Sequence, residues 1–346
     1  MNIHAFSCTR GRAARCAASA LGAVVLAVGA FAPVAAQAAA PKTLYVSQTG
    51  LDSGTCPSAS PCATVSYALT KAASGATIKV SGTIADHITI SQPVTVTTWP
   101  HGPAISPGVL DGTGSGTVVS VTTGVTGVTL HDLTIENGSQ GISHPGFGPG
   151  DTLTLTDSTV SGNIGSGAIY NGSTMTIIDS TIAKNSVNGN GGSGGIYNLS
   201  TMTIIASTIT GNATPVGTGV GGIASGNGGI ATLAATIVAG NTGGNCYGGT
   251  ASLHSAGYNL TNDKTRTACG FNAATDRVNK NPLLGHLASN GGPTKTVLPG
   301  AGGPADDVIP QGTSLHGVTA CPGTDQRGVT RPAQGETRCT IGAVEI

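Results

Sequence analysis

Residues 168–185 read AIYNGSTMTIIDSTIAKN and residues 195–212 read GIYNLSTMTIIASTITGN, one pattern displaced by 27 positions. Each copy holds two short β-runs and ends in asparagine. A unit this small cannot bury its own apolar side chains, but stacked copies can. The repeat therefore predicts a solenoid, a coil of strands laid rung on rung.

The rungs are regular from residue 128. One corner recurs at Asp132–Ile135, Asp157–Val160, Asp179–Ile182, Ala206–Ile209 and Ala235–Ile237. Its threonines (Thr134, Thr159, Thr181, Thr208, Thr236) are separated by 25, 22, 27 and 28 residues, so loops of unequal length leave the coil between constant corners. Period-two alternation points Leu153, Leu155, Val160, Met175, Ile177, Ile182, Met202, Ile204 and Ile209 inward, where strands about 4.8 Å apart stack them into apolar columns. Asn163, Asn185, Asn212 and Asn241 close successive rungs and are expected to form a corner ladder in left-handed backbone, a conformation asparagine tolerates. That role explains the Asn-x-Ser/Thr triplets better than glycosylation does.

Upstream, Leu44–Val46 reads as a strand, followed by a polar loop. Val65, Ala68, Leu69 and Ala72 then fall on one face of a short helix that covers the open apolar end of the coil. Period two resumes at Thr77–Val80, His87–Ile90 and Val94–Val96, each run bounded by turn residues.

Residues 1–38 read as a secretory leader: Arg10, Arg12 and Arg15, an apolar run from Ala17 to Ala32, and a small-x-small cleavage site at Ala36–Ala38. The run is short for a membrane span, which needs about 20 apolar residues. Six cysteines follow the leader, and in an oxidising compartment they are expected as disulfides. Proximity suggests Cys56–Cys62, Cys246–Cys269 and Cys321–Cys339; no CxxC pair supports zinc. The 15 Lys and Arg balance 15 Asp and Glu, and three of the bases lie in the leader, so the remainder carries about −3. Residues 81–241 hold seven acids and one base, Lys184. Nucleic acid, which demands clustered positive charge, is excluded as a partner.

Beyond residue 255 the chain changes character: Asn281–Gly285, Leu287, Asn290–Thr294, Pro299–Gly300, Asp325–Gly328, Arg331–Pro332 and Ile341–Glu345. This series resembles the tail of the choice-of-anchor Q domain group, bacterial surface proteins with right-handed parallel β-helices. The resemblance covers roughly residues 255–346 by motif and 43–245 by pattern. It implies that fold and a surface or secreted location, and no established activity. Members often continue into a cell-surface anchor; this chain stops at Ile346, which favours release.

The expected fold is all-β: a single-stranded right-handed parallel β-helix of seven to eight rungs, with a short N-terminal capping helix and a disulfide-tied C-terminal β module closing its far end. The expected segments are a leader (1–38), a strand, loop and helix (39–76), the rungs (77–250) and the C-terminal module (251–346).

The sharpest candidate site is the acid ladder Asp132, Asp157 and Asp179, with neighbouring carboxylates about 5 Å apart if the register holds. Such a column could hold calcium, which takes oxygen ligands, or work as an acid/base pair of a retaining glycosidase. The plainer reading is an aspartate that starts a turn, and Ala206 and Ala235 at the same place show that the fold does not need the acid. Glu136, His131 and His144 are expected near this face. The rungs lack the spaced Asp pairs of pectin-hydrolysing β-helices, and no Arg lies between Arg15 and Arg266, which disfavours pectin chemistry. Thr152-x-Thr154, Thr174-x-Thr176 and Thr201-x-Thr203 form an outward array that suits ordered water or ice; it reads as three rungs, broken at Thr232. Asp325–Gly328 with Arg331 reads as a tight turn pinned by Arg–carboxylate bonds, and the glycine clusters 189–195 and 217–229 as loops. No cofactor other than calcium is implied. The function expected is a secreted or wall-associated monomer, non-enzymatic, binding a polysaccharide or cell-envelope component; the alternative is a polysaccharide hydrolase or lyase acting through the acidic corner.

Overall fold

The computed structural model describes residues 42–346 apart from 101–105, 147–149, 190–191, 216, 218, 249–251, 266–267 and 316. The leader lies outside the described residues. What is described belongs to one compact unit, Ala40–Ile346.

Runs of Thr, Val and Ile, which suit a pleated surface, form parallel strands on three faces of a coil. The first face runs from Thr43–Ser47 through Val128–His131, Thr152–Thr156, Thr174–Ile178 and Thr201–Ile205 to Leu253–Gly257. After a corner of one or two residues the chain enters the second face, which holds Leu133–Glu136, Thr159–Ser161, Thr181–Ala183, Thr208–Thr210 and Ile237–Ala239. Strand Ala76–Ala85 runs through that corner and joins both faces into one 17-stranded sheet. Seven strands form the third face, from Ile88–Ile90 to Cys246–Tyr247, so the chain goes round about six times between them. The parallel β-helix is thus the architecture.

The expected inward residues are all buried, from Leu153 and Leu155 to Ile204 and Ile209, and they stack in register. The helix Val65–Lys71 is capped by the Thr64 side chain, which accepts from the Tyr67 N–H, and it buries Val65 and Ala68 against the first rungs. Cys56–Cys62, Cys246–Cys269 and Cys321–Cys339 are bonded as proximity suggested.

The asparagine ladder is present: Asn163 Nδ2 donates to Asn185 Oδ1 at 2.9 Å, Asn185 to Asn212 at 2.9 Å and Asn212 to Asn241 at 3.0 Å. Its backbone differs from expectation. The left-handed residue is the one before each asparagine, namely Gly162, Lys184, Gly211 and Gly240. That leaves the asparagine side chain turned inward to bond backbone groups of its own and adjacent rungs.

The C-terminal module also differs. Its part beyond Asn281 lies along the second face, while its first part stays at the end of the coil, with Cys269 and Phe271 in the core cluster. Gln326 Nε2 donates to the Ser158 carbonyl, Thr159 Oγ1 and Thr294 Oγ1, while Thr181 Oγ1 donates to Gln326 Oε1 at 2.6 Å. Ala343 N–H donates to Thr208 Oγ1, and Gly342 N–H to the Ala235 carbonyl. Ala305, Ile309, Ala320 and Ile341 pack over Ala206, Ala235, Ile237 and Ala239, a second apolar cluster outside the coil. The coil itself continues past residue 250, with Leu253–Gly257 pairing Ile230–Ala234 and Leu260–Thr261 pairing Ile237–Ala239.

Candidate functional site

The corner between the first and second faces is left-handed on every regular rung: φ is 54° at Asp132, 51° at Asp157, 44° at Asp179, 44° at Ala206 and 52° at Ala235. Each corner N–H donates to a carbonyl of the next rung, Asp157 to Ile178, Asp179 to Ile205 and Ala206 to Ala234. The residue after the corner turns its hydroxyl inward, as in the Ser158–Ser180–Ser207 ladder. Corner side chains are thereby directed away from the core, and the three aspartates share one column.

They do not share one environment. His131, the last residue of its first-face strand, stands between Asp132 and Asp157. Its Nδ1 lies 3.3 Å from Asp132 Oδ2 and 2.9 Å from Thr97 Oγ1, and its Nε2 lies 3.2 Å from Asp157 Oδ2. Thr156 Oγ1 donates to the same Asp157 oxygen at 3.1 Å. The hydrogen bond to Asp157 raises the His131 pKa above its ordinary 6.5 against the cost of burial, and both carboxylates add to the rise. Burial, helped by Asp157 and opposed by His131, pushes the Asp132 carboxyl up to about 6. One ligand atom each of His131, Asp132 and Asp157 lies within 4.8 Å of the others. As ligands, one nitrogen and two carboxylates suit a transition metal better than calcium.

Asp179 stands apart, 5% exposed under the C-terminal module. Its Oδ1 faces Arg331 Nη2 at 3.3 Å, and Arg331 also donates to the carbonyls of Thr340 and Gly342. Burial outweighs the guanidinium and pushes the Asp179 carboxyl up to about 8. A cation at this corner would meet Arg331, so the geometry groups two of the three aspartates with His131 and takes the third away. Ala206 and Ala235 now have a cause: they belong to the apolar cluster that the module's Ala305, Ile309 and Ile341 form over this part of the corner. Where the module instead brings Arg331, the corner keeps an aspartate.

His144 is not near this corner. It is fully buried on the third face, bonds Asn171 Oδ1 at 3.1 Å through Nδ1, and burial lowers its pKa. Glu136 ends a second-face strand and lines a cavity of about 100 Å3 against Thr294 and Lys295 of the module. Asp325–Gly328 is the expected turn: Arg327 bonds the buried Asp325 carboxylate at 2.8 Å, and Gly328 N–H donates to the Asp325 carbonyl.

The outward threonines extend much further than three rungs. Thr43, Thr77, Thr95 and Thr129 pair in sequence with one another and then with Thr154, Thr176, Thr203 and Thr232. Thr232 is in register; Ile230, opposite Thr201, is what breaks the shorter second column. One face therefore carries eight threonines in single file, none fully buried.

No helix among the described residues is long and apolar enough to cross a membrane. No protein-family model matches this chain, and no curated protein is similar to it. Among solved structures, the crystal structure of pectate lyase Pel9A is similar, with 15% sequence identity over 88% of this chain and 96% of that chain and a TM-score of 0.46.

Proposed function

We propose that this chain is a secreted, non-enzymatic binding or structural protein whose β-helix presents its outer faces to glycans or cell-surface partners. The threonine column carries the reading. Eight hydroxyls recur at the rung spacing of about 4.8 Å, uncharged and accessible. A polymer with hydroxyls of its own can bond such a row repeatedly, whereas an isolated hydroxyl has little selectivity. Export is supported by the leader and by the three disulfides.

One observation favours a second reading, a polysaccharide-cleaving enzyme: His131 held between two carboxylates, one of them with a raised pKa. The two are separated by incubating the mature protein with a broad polysaccharide panel, with and without calcium, and measuring both retention and new reducing or unsaturated ends. Retention without new ends is the expected result. Cleavage that disappears in Asp157→Asn and His131→Gln would overturn the non-enzymatic reading.

A further inference from the structure

Three of the six tyrosines of the chain stand on one face. Tyr170 pairs Tyr197 across neighbouring third-face strands, Tyr197 pairs Ala224, and Ala224 pairs Tyr247. The inward neighbours on those rungs, Ile169, Ile196 and Ile223, are buried, so the tyrosines are the outward residues. The rings of Tyr170 and Tyr197 lie 6.1 Å apart with a 48° tilt, and Tyr247 is 66% exposed. Cys246, bonded to Cys269, ties down the short strand that carries Tyr247.

Ala224 interrupts the aromatic column. It opens a cleft of about 500 Å3 between Tyr197 and Tyr247, which are two rungs or about 9.6 Å apart. Val220 contributes to the lining, and glycines of successive rung loops form the walls. At Gly219 a Cβ would come within 2.5 Å of the Gly192 carbonyl oxygen, so glycine is what lets these loops approach each other. Among the described residues lining the cleft, none carries a charge.

We propose that this face binds a neutral glycan running along the coil axis, with sugar rings stacked on Tyr197 and Tyr247 and one ring seated over Ala224. The proposal rests on the glycan-binding reading and names its site and ligand class. A pyranose ring offers C–H groups on its faces and hydroxyls at its edges. The C–H groups match the negative face of an aromatic ring, and the cleft has the size of a small-molecule site. Tyrosine also loses little conformational freedom when it is covered. The lining supplies no cation for a uronate or phosphate, and residues 81–241 hold seven acids against one base, which repels polyanions.

The test is titration of the mature protein, by calorimetry and tyrosine fluorescence, with cello-, xylo-, manno- and chitohexaose, an oligogalacturonate and a proline-rich peptide. At least one neutral hexasaccharide is expected to bind. Tyr197→Ala and Tyr247→Ala should each weaken that binding tenfold or more, while both Phe variants stay within threefold. Ala224→Phe should abolish it by filling the cleft. Circular dichroism and melting of the Tyr variants should match wild type, because both side chains point out of the core. The proposal is overturned if no neutral hexasaccharide binds, if the Tyr variants bind as wild type does, or if the oligogalacturonate or the peptide binds more tightly. Polysaccharide retention that survives all three substitutions would refute this site while leaving the broader reading intact. Failure to bind any panel polysaccharide or envelope preparation would refute the broader reading itself.

Discussion

At the level of single residues, the three aspartates of one column do different work because different groups face them. His131 and Asp179 both retain protons more strongly in the folded chain than their ordinary values allow. A group of that kind favours the fold at low pH and stops doing so as pH rises through its folded value. For His131 the contribution is present below about 6.5 and is lost above its raised pKa. His131→Gln should therefore lower the denaturation midpoint at pH 6 and leave it unchanged at pH 9; a deficit that grew with pH would contradict the ion-pair geometry. For Asp179, ordinarily near 3.8 and here about 8, wild-type stability falls as pH climbs through that interval. Asp179→Asn cannot ionise, so its stability relative to wild type should improve from pH 5 to about pH 8 and level off above that in denaturant titrations. The column of aspartates was legible from spacing alone, because a corner repeated at 22 to 29 residues must stack. His131 was expected near this face, but its reach to Asp157 across a rung was not legible, nor was Arg331, which comes from 152 positions beyond Asp179.

At the level of elements, the buried polar ladders act as specifically as the apolar columns. Asn212 accepts from both the backbone and the side chain of Asn185 and donates to Asn241 and the Ile182 carbonyl. Asn212→Ala leaves several buried groups unpaired at once and should cost about 2–4 kcal/mol, at roughly 1–3 kcal/mol for an orphaned group, measured by equilibrium unfolding. The corner offers the complementary experiment. Ala206→Asp restores the repeat in sequence but sets a carboxylate beneath Ile341 and Ala305 in the apolar cluster. It should destabilise by about 3–5 kcal/mol, the usual penalty for an uncompensated buried charge, even though the same residue stands at the same φ on three other rungs. Element by element, the strands, the capping helix and the inward columns were legible because period two and the i, i+3, i+4 spacing are local. The asparagines were legible as a ladder but not in backbone detail, since the left-handed strain falls on the preceding glycine or Lys184.

For the molecule as a whole, the coil was legible and the arrangement around it was not. Three rungs of threonine were visible at Thr152–Thr154, Thr174–Thr176 and Thr201–Thr203; Thr232 read as a break, and only hydrogen-bonded register aligns it and Thr43, Thr77, Thr95 and Thr129 with the rest. Tyr170 and Tyr197 stand in the conspicuous repeat, but nothing local to Ile-Tyr-Asn says which way its ring points or that Ala224 will leave a gap beside it. The tail motifs announced a module but not its berth, since the residues that dock it, Gln326, Gly342 and Ala343, meet partners 107 to 168 positions away.

That berth has a thermodynamic consequence. A coil whose rungs touch only their neighbours is a one-dimensional system, free to fray from its ends and to open in the middle at the cost of two interfaces. Here one segment grips the corners from Asp157 to Ala235, through Thr294 at the first and Gly342 at the last. Opening any rung beneath it breaks the grip on the others, so those rungs behave as one cooperative block while the rungs before residue 132 retain their local freedom. Because its partners lie on several stacked rungs, the C-terminal segment is expected to dock after those rungs have formed, a latch thrown on a finished zipper.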